Sequence, residues 1–206
     1  MKNKETINKI EYINKLSGLP FVEENLFERK IKKIRSDRNF MLAIMLVVII
    51  VSAIIMVNSL VFFNVRVSGP SMQPTLYTGD VLIANRYKAV TRGSIVVIEK
   101  EKPNSNDWLI KRVIAVEGDT VKITDGYVYL NGEKLEEKYI LSEGKTEVES
   151  DGEFIVTVAE GEYFYLGDNR ENSSDSRLKG FGTCSKNQIV GVIEEWSLSL
   201  KNIKRK

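Results

Sequence analysis

Histidine is absent from the 206-residue chain, which removes the Ser-His-Asp triad from the available chemistry. Cysteine occurs once, at Cys184, so an intramolecular disulfide and a cysteine-based zinc cluster are both excluded, and Cys184 is expected to be unpaired and inert. With no histidine and a single cysteine, a transition-metal site would have to rely on carboxylates, and no metal or cofactor is expected. An excess of charge is missing too: 30 Lys and Arg against 28 Asp and Glu leave a formal +2, with basic residues concentrated only at 29–38 and in the terminal KNIKRK. Nothing in that balance demands nucleic acid as a partner.

What is present is the composition of a folded protein, 43% apolar and 28% charged, with enough length for one domain and an appendage. The appendage is FMLAIMLVVIIVSAIIMVNSLVFFN, residues 40–64, without a single charged side chain. At about 1.5 Å per residue it reaches roughly 37 Å as a helix, more than the ~30 Å hydrocarbon core of a bilayer. A cleaved secretory signal is shorter and nearer the amino terminus, and a soluble helix keeps a polar face that this one lacks. A transmembrane helix over 40–64 follows, with the lipid bilayer as its partner. Arg29, Lys30, Lys32, Lys33, Arg35 and Arg38 precede it, whereas the next twenty residues carry only Arg66. The positive-inside rule then makes 1–39 a cytoplasmic tail and 65–200 an extracytoplasmic domain of a single-pass protein, followed by a basic tail at 201–206.

Beyond the span the pattern turns to short alternating stretches, DVLIANRY, GSIVVIEK, WLIKRVIAV and TVKITDGYVYLNGEKL, and later EFIVTVAEGEYFYLGD and QIVGVIEEWSLSL. Asp125-Gly126 and Asn131-Gly132 are tight-turn signals inside the fourth of these. The charged segment 136–152 lacks apolar periodicity and reads as an exposed excursion. A mainly β catalytic domain is expected, a coiled antiparallel sheet or partly closed barrel.

VSGPSMQPTL, residues 67–76, packs Gly, Pro, Ser and Met into a kink before a strand, a place to display Ser71. Without histidine, the bases available near neutral pH are a lysine of lowered pKa, an amino terminus or a carboxylate of raised pKa. The amino terminus is placed across the membrane. Lys111 stands out because Leu109, Ile110, Val113, Ile114 and Val116 surround it in one run. Burial that brought it from about 10.4 to about 7 would cost near 4.6 kcal/mol. The same run equally suits an edge strand with Lys111 turned to solvent.

SGPSMQPTL, GDVLIANRY, IKRVIAVEGD and GDNRENSSDSRLKGFG, in this order behind an amino-terminal span, resemble the successive motifs of bacterial type I signal peptidases, or leader peptidases. These are membrane-anchored serine endopeptidases using a Ser-Lys dyad, and the resemblance covers residues 40–200. It implies a signal-peptidase-like fold of coiled antiparallel sheets in a bacterial cell membrane, acting on signal-peptide-bearing preproteins after small-x-small sites. It further implies Ser71 as nucleophile and Lys111 as general base, with Ser173 hydrogen-bonded to the lysine. Asp175 and Arg177 would form an ion pair that also reaches Arg112, with Asp168 of the same loop in support.

The Ser71 N–H is the natural oxyanion donor. Some relatives place a serine two positions earlier as a second donor; Gly69 stands there in this chain, which leaves a backbone group or the Ser68 hydroxyl for that role. Val67, Met72, Leu76 and Ile110 match substrate-pocket positions, although each is also an ordinary core residue. An extended substrate would lie along the strand before Lys111 or along 67–70 by strand addition. Seven residue steps from Asn64 place Ser71 within roughly 25 Å of the end of the span, the height of a signal peptide's cleavage site. Two other readings compete. Self-cleaving repressors resemble signal peptidases around their serine but carry a DNA-binding domain, for which residues 1–39 offer no helix-turn-helix. A single-pass surface protein with a partner-binding β domain would keep Ser71 and Lys111 as structural residues.

Overall fold

The computed structural model describes residues 24–99, 108–140, 145–148 and 152–198, with five positions between 8 and 15; the expected basic tail at 201–206 lies outside them. By packing, the chain divides into a unit of residues 1–56 and a unit of residues 57–206. A long helix, α1, runs over Glu24–Val61. From Phe40 onward its apolar side chains are exposed on every side, Met41, Ile49 and Met56 among them. It is long and apolar enough to cross a membrane. Helix stops at Val61 because Phe62–Asn64, which close the uncharged run, pair instead as part of a strand.

The second unit is built on two antiparallel sheets. In chain order the strands are β1 (Phe62–Arg66), β2 (Val81–Asn85), β3 (Ile95–Glu99), β4 (Trp108–Val116), β5 (Thr120–Thr124), β6 (Tyr127–Leu130), β7 (Glu133–Lys134), β8 (Glu153–Thr157), β9 (Glu162–Leu166), β10 (Cys184–Ser185) and β11 (Ile189–Ile193). The larger sheet has the order β1-β2-β11-β3-β4-β9-β10 and the smaller β7-β6-β5-β8. The mainly β, antiparallel architecture expected from the alternating stretches is therefore present. The two sequence turns form as expected: Asp125 and Gly126 join β5 to β6 with φ of 54° and 81°, Asn131 and Gly132 join β6 to β7 with φ of 53° and 89°, the backbone sign that Asx-Gly hairpins supply.

Alternation along the strands sends side chains to three buried clusters. Val65, Leu82, Ile95, Val97 and Ile193 anchor one, Val96, Ile98, Val113 and Tyr165 another, and Val121, Ile123, Phe164 and Leu166 the third. β4 contributes to all of them, since Ile110, Val113 and Ile114 fall in different clusters. That makes the strand carrying Lys111 the centre of the domain.

Among the described residues of the expected exposed excursion at 136–152, Glu136, Lys138, Lys145 and Glu147 are exposed, but the segment is not exposed throughout. Thr146 is 2% exposed and the Glu137 side chain 6%. A charged stretch of this kind can be buried because arginines distant in sequence neutralise and hydrogen-bond it, a compensation that local polarity does not reveal.

Candidate active site

Ser71 sits in a closed loop between β1 and β2. Val67 N donates to Asp80 O (2.8 Å) and Gly79 N to Val67 O (2.9 Å), which brings the ends of the loop together. Inside it, Gln73 N donates to Pro70 O (3.0 Å) and Leu76 N to Met72 O (2.8 Å). Gly69 has φ of 86°. That left-handed conformation is open to glycine without strain and lets the chain reverse two residues before the serine. Met72 and Leu76 drop into the core and fix the loop from below, being 1% and 0% exposed.

Lys111 comes from β4. Strand alternation places it on the face of Leu109 and Val113, and register sets it opposite Val96 of β3. It is 2% exposed. Its Nζ donates a hydrogen bond to Ser71 Oγ at 2.7 Å, so the two residues that sequence singled out 40 positions apart are in contact. Burial lowers the Lys111 ammonium from 10.5 to about 8; the negative charges of Asp175 and Asp168 pull it up and the positive charge of Arg177 pushes it down. The side chain is inside, and the outward-facing alternative is excluded. The shift is smaller than the one that would bring the lysine to 7, because the two aspartates offset part of the desolvation.

The loop Gly167–Arg177, leaving the end of β9, closes over both residues. Asn169 N donates to Ser71 O (3.0 Å) and Asn169 Nδ2 to Pro70 O (3.2 Å). Thr75 Oγ1 donates to Asp168 Oδ2. Asp168 in turn takes two bonds from Arg112, Nε to Oδ1 at 2.8 Å and Nη2 to Oδ2 at 2.7 Å. Asp175 accepts from Gly167 N (3.0 Å) and from Arg177 Nε (2.8 Å) and Nη2 (3.0 Å). A Cβ on Gly167 would lie 2.2 Å from Ser173 Oγ and 2.5 Å from Ser71 O. Only a glycine lets this loop approach the serine so closely. The arrangement presents a hydroxyl to a desolvated amine, held from one side by a hydrogen-bonded loop, as nucleophilic catalysis without histidine needs.

The family model for "Signal peptidase, peptidase S26" matches residues 38–197. The chain belongs to this family. It is 37% identical over 158 residues to a signal peptidase I of Bacillus licheniformis, covering 71% of this chain and 82% of that protein. Over 156 residues it is 38% identical to signal peptidase I T of Bacillus subtilis strain 168, covering 71% and 79%. A crystal structure of a signal peptidase I from Enterococcus faecalis V583 has a TM-score of 0.43 at 32% identity, over 52% of this chain and 98% of that chain.

Of the residues that sequence marked, Ser71, Lys111, Arg112, Asp168, Asp175 and Arg177 gather in one place. Two expected contacts are corrected. Ser173 Oγ is buried yet has no hydrogen-bond partner; it packs beside Gly167 and does not bond the lysine. The Asp175–Arg177 pair has no bond to Arg112, which is committed to Asp168 and the Gly93 carbonyl (3.0 Å). Ser68 is exposed, and Gly69 contributes a carbonyl that accepts from Thr78 Oγ1 (3.2 Å). Val67, Met72, Leu76 and Ile110 join one core cluster, at 3%, 1%, 0% and 9% exposure. Sequence reasoning missed Thr75, Gly167 and Asn169, and also Arg170 with its partner Glu137. The first four lie inside the quoted motifs and could have been marked there; Glu137 stands in a charged run that singles out no residue.

Proposed function

We propose that this signal peptidase removes amino-terminal signal peptides from preproteins through an acyl enzyme on Ser71, with Lys111 as general base. The observation that carries the proposal is the 2.7 Å contact between Ser71 Oγ and a lysine lowered by burial to about 8. With the amine neutral, Ser71 Oγ attacks the carbonyl carbon of the scissile bond as its proton passes to Lys111 Nζ. The same proton goes to the leaving amine as the carbon–nitrogen bond breaks and the ester remains. Lys111 then takes a proton from water as that water attacks the ester, and returns it to Ser71 Oγ. The Ser71 N–H serves the developing oxyanion, joined by a backbone group or by the Ser68 hydroxyl.

The strand edges favour an extended substrate beside the dyad. β9 pairs with β4 from Arg112 onward, Arg112 facing Leu166, so the same edge of β4 at Trp108–Ile110 has no partner strand among the described residues. A preprotein chain laid there would run past Lys111 toward Ser71. Small residues at its last and third-last positions suit an enzyme whose candidate pocket residues are so tightly covered. α1 anchors the protein in the bacterial cell membrane, and the basic residues 29–38 on its amino-terminal side orient it with that side in the cytoplasm. The catalytic domain is then extracytoplasmic.

The test is cleavage of a secretory preprotein by the full chain in detergent micelles, comparing wild type, Ser71→Ala and Lys111→Ala. The product's new amino terminus is read by mass spectrometry. A cut after a small-x-small sequence that vanishes in both folded variants is expected; a variant that cuts as wild type does would overturn the dyad.

A further inference from the structure

Three arginines hold the loop that closes on Ser71, and Glu137, Tyr139, Thr146 and Glu147, from the segment that follows β7, reach all three. Arg112 Cζ lies 4.0 Å from the centroid of the Tyr139 ring. Arg170 gives Nη1 to Glu137 Oε2 (2.8 Å) and to Thr146 Oγ1 (2.7 Å), and Nη2 to Glu137 Oε1 (2.5 Å). Arg177 Nη1 donates to Glu147 O (3.0 Å). The segment is itself fastened to the smaller sheet, with Thr146 N donating to Gly126 O (3.0 Å) at the β5–β6 turn.

Glu137 is where these contacts converge. Its carboxylate is nearly enclosed and Arg170 opposite it is fully enclosed, at 6% and 0% side-chain exposure. Tyr139 Oη donates to Glu137 Oε1 (2.8 Å), so one carboxylate ties the ring over Arg112 to the guanidinium of Arg170. Arg170 carries the constraint onward, its Nε donating to Gly167 O (3.1 Å). Gly167 is the residue that approaches both Ser173 and the Ser71 carbonyl, and its neighbour Asp168 is the partner of Arg112.

We propose that Glu137 is a positioning residue for the cleavage reaction, acting through Arg170 and Tyr139 to hold Gly167–Asn169 and Arg112 against Ser71. The proposal rests on the Ser71–Lys111 reading of the site. It also assigns a task to the smaller sheet, which carries the segment that clamps the catalytic loop. A buried ion pair adds little to stability compared with apolar side chains of similar volume. Its directional bonds do fix geometry, and a displacement near 1 Å at the reacting atoms costs roughly 100-fold in rate.

Two variants separate positioning from folding. Glu137→Gln keeps volume and an acceptor but loses the charge. The double change Glu137→Met with Arg170→Met removes both charges and refills the volume, so it restores stability without restoring the bonds. The full chain in detergent micelles is assayed for kcat, KM and urea midpoint on one preprotein, with Ser71→Ala alongside. The expected result is a fall in kcat of about 10- to 100-fold in both, with KM changed by less than about 3-fold, while the double variant keeps a near-wild-type midpoint. Wild-type kcat in either variant, or losses that follow the unfolded fraction, would overturn the role of Glu137. If Ser71→Ala still cuts, it is the Ser-Lys reading that has failed; if it is inactive while the Glu137 variants match wild type, this inference alone has failed.

Discussion

Replacing Lys111 with methionine should give a protein that cuts nothing and yet resists unfolding better at neutral pH. The two side chains have similar length, but methionine carries no charge to desolvate. Burial brings Lys111 from 10.5 to about 8, a penalty of about 3 kcal/mol on the charged form at 1.36 kcal/mol per unit. The folded value is the lower one, so between pH 8 and 10.5 the unfolded chain binds more protons and wild-type stability climbs with pH. Below pH 8 both states are protonated and the whole penalty applies. Methionine escapes it but forfeits the bond to Ser71 Oγ, worth about 1 kcal/mol.

At pH 7, Lys111→Met should therefore be about 2 kcal/mol more stable, or about 4–8 °C in Tm for a chain of this size. Near pH 10.5 the penalty has gone and the variant should be about 1 kcal/mol less stable. The two stability curves must cross between those limits. Urea unfolding in micelles, followed by tryptophan fluorescence from pH 6.5 to 10.5, measures both. Parallel curves, or a variant weaker at every pH, would refute the claim that desolvation of this lysine sets its acidity.

The remaining predictions test the same site. The kcat/KM of the wild type should rise through an apparent pKa of about 8 as Lys111 loses its proton, leaving activity at pH 6 about 100-fold under the plateau; a flat profile from pH 6 to 9 rejects Lys111 as base. Gly167→Ala would drive a Cβ to 2.5 Å from Ser71 O and should cost about 1–3 kcal/mol by urea midpoint, with a larger loss of kcat than of binding. Ser173→Ala removes a buried hydroxyl that has no partner, so its midpoint should hold or rise by up to about 1 kcal/mol; a fall of that size would mean the hydroxyl is bonded after all. Burial raises the Cys184 thiol to about 12, so iodoacetamide at pH 8 should leave the folded protein unmodified, and rapid alkylation would show that the site opens.

Features that depend on neighbours in sequence were readable without a structure. Asp125-Gly126 and Asn131-Gly132 announce their turns because the backbone conformation is a local property of those residues. The uncharged run announces a helix long and apolar enough to cross a membrane because solvent preference sums over consecutive residues, yet its last three residues pair as strand, where β2 supplies the partner. Lys111 was legible as a candidate, since a lysine inside an apolar run is conspicuous. Whether it pointed inward was not, because alternation does not say which face of a strand is covered.

Contacts between distant residues had no such signature. Glu137 and Arg170 are 33 positions apart, and an acid in a polar stretch looks the same whether water or a guanidinium receives it. Ser173 shows the converse: a motif assigned it a partner, and the fold places it beside Gly167 without one. The sequence by itself narrowed the available chemistry, by withholding histidine and a second cysteine, and carried the long apolar helix, the strands and the family, all of which follow from residue type and order. Tertiary structure alone decided that Ser71 and Lys111 touch, how far the lysine is desolvated and which carboxylate holds which arginine, because those are distances and dielectric surroundings, set only when strands far apart in the chain are packed together.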